Sequence, residues 1–135
     1  MKYLFDSSAI FRAIKENKIE TLAGNYTLEL ARYELGNIIW KDCALQAKIS
    51  EQESKMLIQV VKRALTIMNV LGIAGSEEEI LDTAIQHKIT FYDAAYAQLA
   101  KEKELHLITE DSRLIKKTTP TINASTLDYT EQNSK

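Results

Sequence analysis

The stretch Tyr3-Leu4-Phe5-Asp6-Ser7-Ser8-Ala9-Ile10-Phe11 changes period halfway along its length. It opens with a short continuous apolar run, the pattern of a strand buried on both faces. Beyond the acid, Ile10, Phe11 and Ile14 recur at helical spacing, which predicts a helix over residues 8–17 with Ser7 or Ser8 as its cap. A buried strand feeding a helix is the first half of a βα unit, and the rest of the chain repeats the alternation. Gly24-Asn25 signals a turn, and a short strand follows near Tyr26-Thr27. The second helix is predicted from Leu28 to Gln46, with Leu30, Ala31, Leu35, Ile38, Ile39 and Leu45 along its inner side.

Ser50 and Glu53 have capping-box spacing and predict a long helix. Its stripe is Leu57, Val60, Val61, Ala64, Leu65, Met68 and Leu71. A short strand is placed near Ile73-Ala74. Ser76 and Glu79 repeat the capping-box spacing before a helix burying Ile80, Leu81, Ala84 and Ile85, and Thr90 and Asp93 repeat it before a helix to Lys103. Leu105–Thr109 is an apolar run expected as a buried strand, Ser112–Lys117 a short helix or turn, and Thr121–Ala124 a last strand fed by the loop at Pro120. Short apolar strands separated by helices predict an α/β fold, a parallel sheet covered on both faces. The 135 residues suit a single domain over residues 1–124, with a polar, frayed tail over 125–135. There is no internal repeat.

Composition narrows the function classes. Seventeen Lys plus Arg against 19 Asp plus Glu give a net charge of −2, without the strong basic excess of many nucleic-acid binders, though a local basic patch is compatible with it. Cys43 is the single cysteine, which excludes an internal disulfide and a thiolate metal cluster; it is expected as a small, at least half-buried helical residue. The run before Asp6 is too short for a signal sequence, and no apolar run nears the roughly 20 residues that span a bilayer. A soluble, cytoplasmic protein is expected.

Four acids stand out. Ligands of open α/β sheets bind at the carboxyl ends of the strands. Asp6 directly follows the first strand and Asp111 lies just past the strand ending at Thr109, although each could equally cap the helix after it. Asp93 could close a capping box with Thr90 and favour its helix dipole, or lean into a cleft from the first helical turn. Glu34 has Leu30, Ala31 and Ile38 as helical neighbours, so its carboxylate is drawn toward the core. A buried carboxylate costs several kcal/mol unless a cation or donors compensate it. Together the acids would repel unless neutralised, and Mg²⁺ or Mn²⁺ prefers such oxygen ligands. Such an ion can activate water and stabilise the charge on a cleaved phosphodiester. Ser8 and Thr109 could orient ligand oxygens, whereas His87 and His106 share no ligand spacing. Arg12, Lys15, Lys41, Arg113, Lys116 and Lys117 are candidate contacts to a nucleic-acid backbone.

Four blocks carry a family resemblance: Phe5-Asp6-Ser7-Ser8-Ala9-Ile10, Tyr33-Glu34-Leu35-Gly36-Asn37-Ile38, Phe91-Tyr92-Asp93-Ala94-Ala95-Tyr96 and Leu107-Ile108-Thr109-Glu110-Asp111-Ser112-Arg113-Leu114. In order and spacing the chain resembles the PIN-domain family, particularly the small VapC-like toxin ribonucleases. The resemblance implies a five-stranded parallel sheet of order 3-2-1-4-5 and Mg²⁺- or Mn²⁺-dependent endoribonuclease activity. It implies Asp6, Glu34, Asp93 and Asp111 as catalytic and metal-holding acids, with Ser8, Thr109 and Asn37 in support. Glu110 occupies a position expected to add charge or to face solvent. Family members are often homodimers and often silenced by a cognate antitoxin, as in type II toxin–antitoxin pairs. The apolar long helix, widened by Met56 and Ile67, is a candidate dimer face. The alternatives are a PIN-like RNA-processing nuclease outside a toxin–antitoxin system, or a binding module that retains the fold without catalysis. A phosphoryl-transfer domain ranks below these, because Asp6 is followed by Ser7 and Ser8 rather than by a second acid.

Overall fold

A computed structural model describes residues 2–133. The sheet has five strands, β1 (Tyr3–Phe5), β2 (Tyr26–Leu28), β3 (Asn69–Leu71), β4 (His106–Ile108) and β5 (Ala124–Ser125). Their order is β3-β2-β1-β4-β5 and every pairing is parallel, so the expected 3-2-1-4-5 arrangement is present. Flanking helices are α1 (Ser7–Lys15), α2 (Leu30–Trp40), α3 (Glu51–Thr66), α4 (Glu77–His87), α5 (Phe91–Glu102), α6 (Ser112–Thr118) and α7 (Leu127–Gln132). Three-residue strands suffice because the central ones are buried on both faces: Leu4, Phe5, Leu107 and Ile108 are inaccessible to solvent. β1 pairs with β4 through Tyr3–His106, Leu4–Leu107 and Phe5–Ile108. Because the chain winds outward from β1 in both directions, the strand order reverses between β1 and β4. That is where open sheets leave a crevice.

The differences from the sequence expectations have local causes. The cap of α1 is Asp6, not Ser7 or Ser8, because its carboxylate accepts from the Ala9 amide at 3.0 Å. The long helix stops at Thr66, so Met68 lies in the connection and Leu71 in β3; the predicted Ile73-Ala74 strand is displaced to Asn69–Leu71. Ser50 and Glu53 do form a reciprocal capping box. Ser76 makes no such cap, since its hydroxyl donates to Glu102 at 2.9 Å. Thr90 accepts from the Asp93 amide, which caps α5. Leu81, Ile85 and Leu45, expected inside, are exposed. The second helix gives way at Lys41–Leu45 to a π-helical turn, which rotates Leu45 off the inner face and leaves Cys43 half-buried. The segment expected to fray from residue 125 instead completes β5 and forms α7, where Leu127 is fully buried. The last two residues of that expected tail lie outside the described residues.

The Ser50 box contrasts with its absence at Ser76. Ser50→Ala is expected to lower stability by about 1 kcal/mol, measured by urea unfolding; no change would contradict a structural role for the box.

Candidate active site

Asp6 enters the crevice directly from β1. It is 6% exposed, and its amide donates to the Ile108 carbonyl of β4 at 3.0 Å. Three donors hold its carboxylate. Oδ1 accepts from Ser8 Oγ at 2.7 Å and from the Ala9 amide, while Oδ2 accepts from Thr109 Oγ1. Thr109 is fully buried just past β4, on the other side of the switch point. Its hydroxyl oxygen also accepts from the Asp111 amide at 3.1 Å. The two hydroxyls that the sequence singles out therefore grip the same acid, one from the first turn of α1 and one from just past β4.

Burial pushes the Asp6 carboxyl up to about 6, against the three hydrogen bonds that favour its charged form, and the nearby Glu34 pushes it further up. Glu34 projects from α2, half-buried, and accepts from the Tyr96 hydroxyl at 2.7 Å. That phenol is raised by burial and then by Glu34. Asp93, in the first turn of α5, is raised by burial and then by Asp111 and Glu34. Asp111 follows a different local logic. It is exposed and caps α6, its Oδ1 accepting from the Arg113 amide at 3.0 Å and the Leu114 amide at 3.2 Å.

The four acids thus form a chain of neighbours, Asp6 near Glu34, Glu34 near Asp93 and Asp93 near Asp111, but do not line one pocket. Glu34 lines a recess with Ser7, Leu30, Tyr33, Asn37, Ile38 and Tyr92, whereas Asp93 and Asp111 line another with Lys88, Arg113 and Lys117 among others. Among the described residues, no group of three or more His, Cys, Asp or Glu side chains is arranged to hold a metal ion. Three of the acids are met by donors of the protein: hydroxyls for Asp6, the Tyr96 phenol for Glu34, helix amides for Asp111. No Lys or Arg ion-pairs with any of the four among the described residues. Carboxylates without a basic partner, of which Asp6 and Asp93 are raised by burial and by neighbouring acids, are oxygen donors of the kind a hard divalent cation takes.

Tyr96 and Glu110 are the participants that residue reading did not assign. Tyr96 was legible as the residue one turn after Asp93 on the same face of α5. Glu110 neither faces open solvent nor acts as a loose charge. Its carboxylate accepts from Arg12 Nη1 and from the Leu127 amide, both at 2.8 Å. Arg12 is in turn engaged by Glu16, Asp128 and Glu110, which removes it from the candidate backbone contacts. His106 stacks on Tyr129 with ring centroids 4.2 Å apart, and His87 meets the Lys117 carbonyl; neither joins the acids.

No protein-family model matches the chain. A curated relative from Pyrobaculum aerophilum named exonuclease VapC9 is 32% identical over 129 residues, 94% of this chain and 93% of that protein. The chain belongs to the VapC family of PIN-domain proteins. A second VapC relative from the same organism, named ribonuclease VapC3, is 29% identical over 87% of this chain and 95% of its own length. The crystal structure of PAE2754 from Pyrobaculum aerophilum superposes with a TM-score of 0.81 at 26% identity, over 98% of this chain and 94% of that one. A chain of a toxin–antitoxin complex from Klebsiella pneumoniae shares the fold, with a TM-score of 0.64 at 17% identity, over 93% of this VapC chain and 97% of its own. No helix among the described residues is long and apolar enough to cross a membrane.

The Asp6 pKa has a consequence for stability. The group is raised in the folded state, so the folded protein binds more protons than the unfolded chain between about pH 4 and 6, and stability falls as pH rises through that window. The penalty at neutral pH is at most about 3 kcal/mol. Asp6→Asn is expected to flatten that decline in urea unfolding between pH 4 and 7; an unchanged slope would show that another group sets it.

Proposed function

We propose that this VapC protein is a divalent-metal-dependent endoribonuclease and the toxin of a type II toxin–antitoxin pair. The observation that carries the nuclease reading is the set of acids at the β1–β4 switch point: burial and then Glu34 raise Asp6, burial and then Asp111 and Glu34 raise Asp93, and none of these acids ion-pairs with Lys or Arg among the described residues. The curated relatives' names, an exonuclease and a ribonuclease, support nucleic-acid hydrolysis. The toxin assignment rests on family membership alone.

Asp6, Glu34, Asp93 and Asp111 would hold Mg²⁺ or Mn²⁺. When bound, such an ion supplies charge neutralisation for the scissile phosphate and a lowered pKa for an attacking water. The chain's own residues do the rest. Thr109 and Ser8 fix the Asp6 oxygens, Tyr96 fixes Glu34, and Asn37, one turn beyond Glu34, offers an amide to the substrate side of the same recess. Lys88, Arg113 and Lys117 line the recess of Asp93 and Asp111 and supply positive charge for RNA phosphates. Exposed Tyr33 and Tyr92 border the Glu34 recess, where an unpaired base could stack.

Paired removal of charge tests the assignment. Asp6→Asn with Asp93→Asn is expected to abolish cleavage of single-stranded RNA while circular dichroism stays unchanged. Mn²⁺ is expected to raise the melting temperature of the wild-type protein and not of this variant. Full cleavage by the double variant would remove the acids from the mechanism. Because one relative is named an exonuclease, end-directed hydrolysis is the second reading. A circular RNA separates the two: the endonuclease cuts it, and an exonuclease leaves it intact.

We also propose a cytoplasmic homodimer that pairs with a cognate antitoxin. Met56 and Ile67 on and beside α3 stay exposed, as do Leu81 and Ile85 on α4. Light scattering at tens of micromolar is expected to give twice the chain mass; a monomer would contradict the dimer.

A further inference from the structure

Glu110 stands between Thr109 and Asp111, and both its backbone and its side chain are tied. Its amide donates to Ser8 Oγ at 2.9 Å, and Ser8 Oγ donates to Asp6 Oδ1 at 2.7 Å. Its carboxylate reaches two other elements. Oε1 accepts from Arg12 on α1 and Oε2 from the amide of Leu127, the first residue of α7. Thr126, immediately before α7, makes no side-chain cap, so the carboxylate from the β4–α6 loop satisfies a helix-end amide that local sequence leaves open. Arg12 then reaches Asp128 Oδ1, in the first turn of α7, at 2.7 Å. The Arg12 and Glu110 side chains are 25% and 23% exposed, so the contact is a partly shielded, charge-assisted one rather than a solvated surface pair.

We propose that Glu110 is a positioning residue for the acid site, and that through it α7 belongs to the catalytic unit. This rests on the ribonuclease reading above. Fastening the loop to α1 and α7 sets where Ser8 and Thr109 donate their hydroxyls to Asp6, and where the Asp111 carboxylate emerges. Both Glu110 carboxylate oxygens are engaged within the protein, and their negative charge does not suit RNA phosphates. Its loss therefore displaces the acids without removing a substrate contact, which lowers kcat more than it raises KM.

The experiment uses the full chain with Glu110→Ala and Glu110→Gln, assayed well below their melting temperatures with a short single-stranded RNA and Mn²⁺. Glu110→Ala is expected to lower kcat roughly 10- to 100-fold with KM nearly unchanged. Glu110→Gln, which keeps one acceptor, is expected to fall between Glu110→Ala and wild type, and it carries the test if the alanine variant does not fold. Amide hydrogen exchange by NMR is the second readout. Exchange at Glu110, Asp111 and Leu127 is expected to quicken while Leu107 in β4 stays protected. Wild-type kcat in a folded variant, or a fall in KM-limited binding alone, overturns the proposal. If the wild-type protein cuts no RNA, the ribonuclease reading fails separately, and unchanged exchange at Glu110 and Asp111 still overturns the positioning claim.

Discussion

A carboxylate kept out of water between two parallel strands is the constraint on which this structure turns. Asp6 caps α1, receives hydroxyls from both sides of the β1–β4 switch point, and is almost wholly buried. Burial alone would expel its charge, and the three donors only partly compensate, which is why the group stays well above the usual carboxylate range. The fold tolerates that cost because the sheet is rigid there. Leu4, Phe5, Leu107 and Ile108 leave no room for the strand ends to relax.

The other acids approach this fixed point from separate helices, so no local sequence stretch builds the site. Glu34 comes from α2, Asp93 from α5 and Asp111 from the loop into α6. Glu34 accepts from Tyr96 on another helix, the Asp93 amide donates to Thr90 at the start of its own helix, and Asp111 accepts from two amides of the helix it caps. The Arg12–Glu110 contact adds α7 to the same assembly, making the C-terminal helix a brace rather than an appendage.

Much of this was legible in the chain. The buried strands at Tyr3–Phe5 and near Leu107 have the apolar runs of double-sided burial, and their order of helices and strands predicted the parallel sheet. The acids were legible because each interrupts a pattern: Asp6 a strand end, Glu34 an apolar helix stripe. The misses share a cause. Leu81 and Ile85 have helical spacing, but they fall on the outer face of α4, whose inner face buries Ile80 and Ala84. β3 hid at the end of a long stripe because a strand of three residues adds no period of its own. Glu110 was unreadable because its partners, Arg12 and Leu127, are remote in sequence and only the fold brings them together.

The central proposal is that the acids gathered around buried Asp6 bind a divalent cation. Isothermal titration of the wild-type protein with Mn²⁺ near pH 6, in buffers of different ionisation enthalpy, tests it most directly. With Asp6 titrating at about 6, binding is predicted to release roughly half a proton per ion, and Asp6→Asn is predicted to lose both the binding and the release. Binding without proton release, or equal binding by Asp6→Asn, would contradict the account.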